Sequence, residues 1–270
     1  MNSKPKSRPR LFWWAIAAFA VILLVRLISN AGGGSGKGYT LQFDKDFKVG
    51  MNAVDDLGIS IVLAMDVSGS MSQAPDSGGE AKYLQATRAL ATIASFLESY
   101  ATRQPDIKVK VAVLRFSSAV EVLLPLTTLD DPGASRLNAV VSNADNFRPQ
   151  NNTAIGSALE LSSEILAQSG TIMRSAIVVT DGENNRGEEP ARVLDAIYAN
   201  RNSASTKDFP VSTSTQLISF VGFDIDSSTF RALSDRGARV TSAGDQAALE
   251  ASLKDLLEAD ITKLEAPVLK

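Results

Sequence analysis

Two short stretches bring together side chains that could share one piece of chemistry: Asp66-Val67-Ser68-Gly69-Ser70 and Asp181-Gly182. Carboxylates and hydroxyls are hard oxygen donors, suited to Mg²⁺, Mn²⁺ or Ca²⁺. In Asp-x-Ser-x-Ser the oxygen-bearing side chains recur at every second residue, so an extended or gently turning backbone aims all three at one point, with Gly69 allowing the turn. Taken alone, such a pentapeptide is ordinarily a solvated turn. Composition removes most competing chemistries: the 270 residues include no cysteine and no histidine. That excludes disulfide frameworks, thiolate or imidazole metal sites, cysteine nucleophiles and every triad with a histidine base.

The elements that must position these residues alternate along the chain. Ile59-Ser60-Ile61-Val62-Leu63-Ala64-Met65 is a nearly continuous apolar run that leads straight into Asp66, and Ser175-Ala176-Ile177-Val178-Val179-Thr180 leads straight into Asp181. Such runs are the pattern of parallel strands covered on both faces. A third, Gln216-Leu217-Ile218-Ser219-Phe220-Val221, repeats it. Helical periods lie between. Tyr83, Leu84, Thr87, Leu90, Ala91, Ala94 and Leu97 share one face, and Ile155, Leu159, Ser162, Ile165 and Leu166 share another. Pro190 is placed to open a helix through Val193, Leu194 and Ile197, and Asp245 to cap one carrying Leu249, Leu253, Leu256, Leu257 and Ile261. Lys108 to Val113 alternates, and Val120 to Leu124 follows too closely for a helical crossover, which predicts an antiparallel hairpin at a sheet edge. The fold class is therefore α/β: a doubly wound, Rossmann-like, mostly parallel sheet with one antiparallel edge strand and helices on both faces. Its ligand site is expected at the carboxyl ends of the strands, where both aspartates fall.

With these elements in place, the sequence resembles the von Willebrand factor type A (VWA) domains. Asp66-Val67-Ser68-Gly69-Ser70-Met71 is similar to their metal-ion-dependent adhesion site signature. Thr153, in Asn152-Thr153-Ala154-Ile155-Gly156-Ser157-Ala158-Leu159, matches the family's central threonine before a helix, and Asp181, in Val178-Val179-Thr180-Asp181-Gly182, matches its distal aspartate. Asn151 and Asn152 stand where many members carry glycines, a departure that asparagine's tolerance of left-handed backbone accommodates. The resemblance implies a metal site made of Asp66, Ser68, Ser70, Thr153 and Asp181. The three hydroxyls would ligate directly or through water, and the carboxylates would supply charge, one or both through water. It implies Mg²⁺, with Mn²⁺ or Ca²⁺ as alternatives. Two carboxylates balance a divalent ion, and the remaining ligand position is, in the family, typically filled by an Asp or Glu of a partner protein, whose capture can shift the last helix. Glu183, Asp76 and Glu80 lie in nearby loops and are read as surface charge. Asn151-Asn152-Thr153 is formally a glycosylation sequon, discounted because Thr153 is expected to face the metal site.

The N-terminus has a different character. Leu11 to Val25 is unbroken apolar sequence, extended past Arg26 by Leu27 and Ile28. Eighteen helical residues span roughly 27 Å, close to a hydrocarbon core. Lys4, Lys6, Arg8 and Arg10 precede the run and predict a cytoplasmic N-terminus with the rest of the chain exported. A cleaved signal peptide ending near Ser29-Asn30-Ala31 exports the same residues, but the length of the run and its terminal Arg favour an anchor. Gly32 to Gly38 imitates a phosphate loop, yet it lacks the first glycine and the closing Ser or Thr and follows no strand. A flexible tether accounts for it better. The expected organisation is a basic N-terminus (1–10), a transmembrane anchor (11–28), a Gly-rich tether and lead-in (29–54), the VWA domain (55–262) and a tail (263–270).

Net charge is −3. Five of the 27 basic residues lie in the first thirty positions, which hold no acid; the remaining 22 face all 30 acids, a net of −8. An acidic folded part argues against nucleic acid as a partner. Three functions compete. The leading one is an exported, membrane-anchored module of the cell envelope that binds a divalent cation and through it an acidic side chain of a protein partner. A structural subunit with an occupied but partner-free site is the second. The third is a metal-dependent hydrolase, disfavoured because no Lys or Arg clamp lies in either motif and no Gly-x-Ser-x-Gly elbow occurs. The chain is read as a non-enzyme.

Overall fold

A computed structural model describes residues 56–150, 152–203 and 216–265. The expected anchor (11–28), the tether and lead-in, and Asn151 lie outside the described residues; among those described, no helix is long and apolar enough to cross a membrane. In chain order the elements are β1 (Asp56–Asp66), α1 (Lys82–Arg103), β2 (Lys108–Phe116), β3 (Val120–Thr128), α2 (Asp131–Val141), α3 (Ile155–Ala167), β4 (Thr171–Thr180), α4 (Pro190–Ser203), β5 (Gln216–Phe223), α5 (Arg231–Ser234), β6 (Arg239–Ala243) and α6 (Gln246–Glu265). Short 3-10 turns at Gly69–Ser72, Ala144–Phe147 and Ser227–Phe230 connect them.

The six strands form one sheet in the order β3-β2-β1-β4-β5-β6, parallel except for β3, which runs antiparallel to β2 at the edge. Chain progression reverses direction between β1 and β4, so the crevice of a doubly wound sheet opens at their carboxyl ends. There Asp66 sits opposite Phe116, and Met65 opposite Val179. Alternation along β1 divides the core. Ile59, Ile61, Leu63 and Met65 face a layer built from α1, α2 and α6, while Val62 and Ala64 face α3, α4 and α5. Both faces of the central strand are covered, and for that reason its sequence is a continuous apolar run rather than an alternating one. Burial of each such Ile or Leu contributes about 1.5–3 kcal/mol.

One helical face differs from expectation. The buried seam of α1 is Ala86, Ala89, Leu90, Ile93, Ala94, Leu97 and Tyr100, with Lys82 and Gln85 turned inward, whereas Leu84 and Ala91 are only partly buried. Lys82 takes its interior position against Asp181 and Asp224 at the strand ends, while Gln85 donates to Glu80 O at 2.8 Å and accepts from Gln246 N–H at 3.0 Å. Three elements carried weak signals and were not anticipated: α2, β6 and the single turn of α5. α2 is started by Asp130, which accepts from Gly133 N–H at 2.8 Å, with Pro132 in its first turn. β6 is a five-residue parallel strand on β5, too short to show a period. The last helix begins as expected, with Asp245 accepting from Ala248 N–H at 2.8 Å. It is held to the sheet by Leu249, Leu253, Leu257, Ile261 and Leu264, and by fully buried Asp260, which pairs with Arg239 and accepts from Ser175 Oγ at 2.7 Å.

Candidate functional site

β1 ends in a turn made by its own last side chain. Asp66 Oδ1 accepts from the backbone N–H of Ser68 at 2.7 Å, which bends the chain after the strand and leads it into the Gly69–Ser72 turn. Met71, fully buried, anchors that turn in the core. The bend brings Ser68 Oγ to 3.1 Å from Ser70 Oγ, and Ser70 Oγ donates to Asp181 Oδ1 at 2.7 Å. Asp181 follows directly on β4, and Thr180, the last residue of β4, donates its hydroxyl to Asp66 Oδ2 at 2.5 Å. Four of the five residues singled out from sequence thus form one hydrogen-bonded chain across the carboxyl ends of β1 and β4.

Thr153, the fifth, arrives on a separate loop. That loop is slung between the ends of β1 and β2: Gln150 N–H donates to Val67 O at 2.5 Å, Ala154 N–H to Ser117 O at 2.9 Å, and Asn152 Nδ2 to Ser118 Oγ at 2.8 Å. Thr153 itself is clamped by Asn185, whose Oδ1 accepts from Thr153 N–H at 2.9 Å and whose N–H donates to Thr153 O at 3.0 Å. Its Oγ1 lies about as far from the turn after β4 as a van der Waals contact, 4.0 Å from the point a Cβ on Gly182 would occupy. The segment carrying Asn185 also packs against the start of α3, where a Cβ on Gly156 would fall 2.0 Å from Glu188 O. Only glycine fits that approach. The expectation that Asn152 uses left-handed backbone is corrected: the one non-glycine at positive φ among the described residues is Asp224, at 58°. Asn152 contributes its amide instead. Glu183, Asp76 and Glu80 are exposed, as their placement in loops suggested.

The electrostatics are dominated by burial. Asp66 is fully buried, and desolvation pushes its carboxyl up to about 7, with the Asp181 charge adding to the rise and hydrogen bonds from Thr180 and Ser68 opposing it. Asp181 has a cationic partner that sequence reasoning missed. Lys82 Nζ lies 2.6 Å from Asp181 Oδ2 and 3.4 Å from Asp224 Oδ2, with both Lys82 and Asp181 side chains almost wholly enclosed. No Lys or Arg belongs to either motif in sequence, but the fold delivers one to Asp181. Asp181 Oδ2, although so near the ammonium, lacks a well-aligned hydrogen-bond donor.

Signals for the missed residues existed. Asp224 follows immediately on β5, a third strand delivering an aspartate to the same end of the sheet, three residues beyond where that strand was expected to stop. Lys82 is a cation in the first turn of a helix, against the macrodipole, and a residue that breaks a local rule invites a search for its partner.

The donor set suits a hard divalent cation. Hydroxyls of Ser68, Ser70 and Thr153 and the carboxylates of Asp66 and Asp181 are the hard oxygen donors that could hold such an ion, the Lys82 ammonium stands against Asp181, and Asp181 Oδ2 is an under-used buried acceptor. No cluster of three or more His, Cys, Asp or Glu with metal-binding geometry occurs among the described residues, so any ion here depends on the hydroxyls.

A doubly wound α/β domain with oxygen-rich strand ends is the class that fold and site define. Residues 61–183 match the family model of the von Willebrand factor type A domain, a span that includes all five predicted site residues. A VWA domain is supported by that match and by the fold of solved structures to which the chain is similar. A von Willebrand factor type A protein from Catenulispora acidiphila aligns at 19% identity and a TM-score of 0.56, covering 74% of this chain and 42% of that one. The PilB minor pilin from Streptococcus sanguinis aligns at 13% identity and 0.57, covering 76% and 61%. The conserved hypothetical protein BatB from Bacteroides thetaiotaomicron aligns at 16% and 0.55, covering 77% and 100%. The chain therefore spans less than two thirds of the first two, and at these identities the likeness is one of fold. No curated protein matches.

Proposed function

We propose that the chain is a membrane-anchored, exported interaction module of the cell envelope. Its VWA domain holds a divalent cation, Mg²⁺ with Mn²⁺ or Ca²⁺ as alternatives, and uses it to capture an Asp or Glu of a partner protein. The observation that carries this reading is the chain Ser68–Ser70–Asp181 beside buried Asp66 at the switch point of the sheet. Bound there, the ion supplies an electrophilic centre for an incoming carboxylate. The protein's part is positional: Asp66 and Thr180 fix the turn that presents Ser68 and Ser70, and Asn185 fixes the backbone of Thr153. The hydroxyl–carboxylate pairs Ser70–Asp181 and Thr180–Asp66 serve in this reading to position oxygen donors, and the reading is a non-enzymatic one. Fold neighbours that support this reading include a minor pilin, a pilus adhesin, SpaC from Lactobacillus rhamnosus GG, and a type V pili tip protein, Mfa5 from Porphyromonas gingivalis.

The test is a Mg²⁺ titration and a partner pull-down, with Mg²⁺ or chelator, on the full chain as wild type, Asp66→Ala and Thr153→Ala. Asp66→Ala is expected to lose both metal and partner. Thr153→Ala removes a neutral ligand, so it is expected to keep metal but capture the partner at least tenfold more weakly. Partners held as tightly in chelator as in Mg²⁺ would refute the mechanism.

A further inference from the structure

Lys82 is the first residue of α1, where a cation opposes the helix macrodipole, and its side chain is almost wholly enclosed. Burying an ammonium is costly unless carboxylates meet it. Here two do, and they are unequal. Asp181 takes the closer position at 2.6 Å and Asp224 the farther at 3.4 Å. Asp181 belongs to the candidate metal site, but Asp224 does not hydrogen-bond to any of that site's hydroxyls. Asp224 is held for another purpose. Its backbone takes a left-handed conformation at φ 58°, a strained choice for a residue with a side chain. Its N–H donates to Ala243 O at 2.7 Å, and its Oδ1 accepts from Asp76 N–H at 3.0 Å, which leaves Oδ2 turned to the lysine.

Asp66, Asp181 and Asp224 set three carboxyl groups against one ammonium. A divalent ion entering between Ser68, Ser70 and Asp181 meets the ammonium on one of its own ligands, and two cations on one carboxylate repel. The ammonium has somewhere to go, since a shift of under an ångström brings it into full contact with Asp224.

We propose that Lys82 is a resident cation that competes with the divalent ion for Asp181, and that Asp224 is the berth that holds the ammonium when the ion takes Asp181. The proposal rests on the metal-site reading above. It gives the ion-free domain a partly neutralised, pre-formed site, and it tempers the affinity for the ion, so that loading is an exchange of one cation for another rather than the filling of a bare acidic pocket.

The experiment is a calorimetric titration of the detergent-solubilised full chain with MgCl₂ and MnCl₂, for wild type, Lys82→Met, Lys82→Arg, Asp224→Asn and the Lys82→Met/Asp224→Asn double variant. An opposite charge within about 4–6 Å biases a carboxylate by one to three pK units, so Lys82→Met is expected to bind the ion about tenfold or more tighter. A residue that merely supported the fold would weaken binding when removed. Lys82→Arg should stay near wild type. Asp224→Asn should weaken binding several-fold, and much less once Lys82 is already Met, because its effect runs through the lysine. Lys82→Met binding no tighter than wild type overturns the competition, and equal effects of Asp224→Asn in both backgrounds overturn the berth. Should Lys82→Met fail to fold, the ¹⁵Nζ resonance of Lys82 in the wild-type chain decides: it must move on addition of MgCl₂, and a stationary signal during saturable binding refutes the exchange. Absence of binding in every protein would instead sink the metal-site reading itself.

Discussion

Asp66→Asn, studied in chelator, tests the electrostatics of the site apart from any ion. The carboxyl is fully buried and its pKa stands at about 7, against 3.8 for the free side chain. A folded-state pKa raised above the unfolded value means that the stability associated with this group is fully present below pH 3.8 and is lost as pH rises through about 7. The folded protein must then carry a poorly solvated charge. At 1.36 kcal/mol per pH unit, the cost reaches on the order of 4 kcal/mol at pH 8, of which about 2–3 kcal/mol accrues between pH 5 and pH 8. Asparagine keeps the shape and the acceptor for Ser68 N–H, and its amide can donate to Thr180 Oγ1, which then accepts; the charge alone disappears. Relative to wild type, Asp66→Asn should therefore gain stability steadily from pH 5 to pH 8 by about that amount, while losing its Mg²⁺ response. Urea denaturation of both proteins in chelator at pH 5, 6, 7 and 8 measures this. Parallel pH dependences, or a variant less stable than wild type at pH 8 by the same margin as at pH 5, would show that burial does not raise the Asp66 carboxyl.

Two further outcomes follow from the loops and from the N-terminus. Asn185→Ala leaves the N–H of Thr153 without its acceptor, which should cost about 1–2 kcal/mol in thermal denaturation and weaken Mg²⁺ binding with no change at Asp66; unchanged stability would mean that the backbone clamp is idle. For topology, a periplasm-only reporter fused after residue 270 should be active and membrane-bound in a bacterial host, because Lys4, Lys6, Arg8 and Arg10 precede the apolar run; activity of a cytoplasm-only reporter would reverse the orientation.

What sequence alone determined is whatever local patterning encodes. The apolar runs ending in Asp66 and Asp181 are strands because β-branched and aliphatic residues on both faces demand cover on both faces, and the aspartates fall at the ligand end because each strand stops there. The Asp-x-Ser-x-Ser spacing is a short-range property too, and the structure keeps its side chains within hydrogen-bonding reach. The tertiary structure decided the rest. Thr180 meets Asp66 across 114 positions, and Lys82 meets Asp224 across 142, distances over which no periodicity operates. The inward face of α1 was legible in part: Thr87, Leu90, Ala94 and Leu97 are buried as hydrophobic periodicity places them, whereas Leu84 and Ala91 are only partly buried, and Lys82 is turned inward by carboxylates at the ends of β4 and β5. A buried charge takes its position from its counter-charges, and these reach it only after the sheet has ordered its strands.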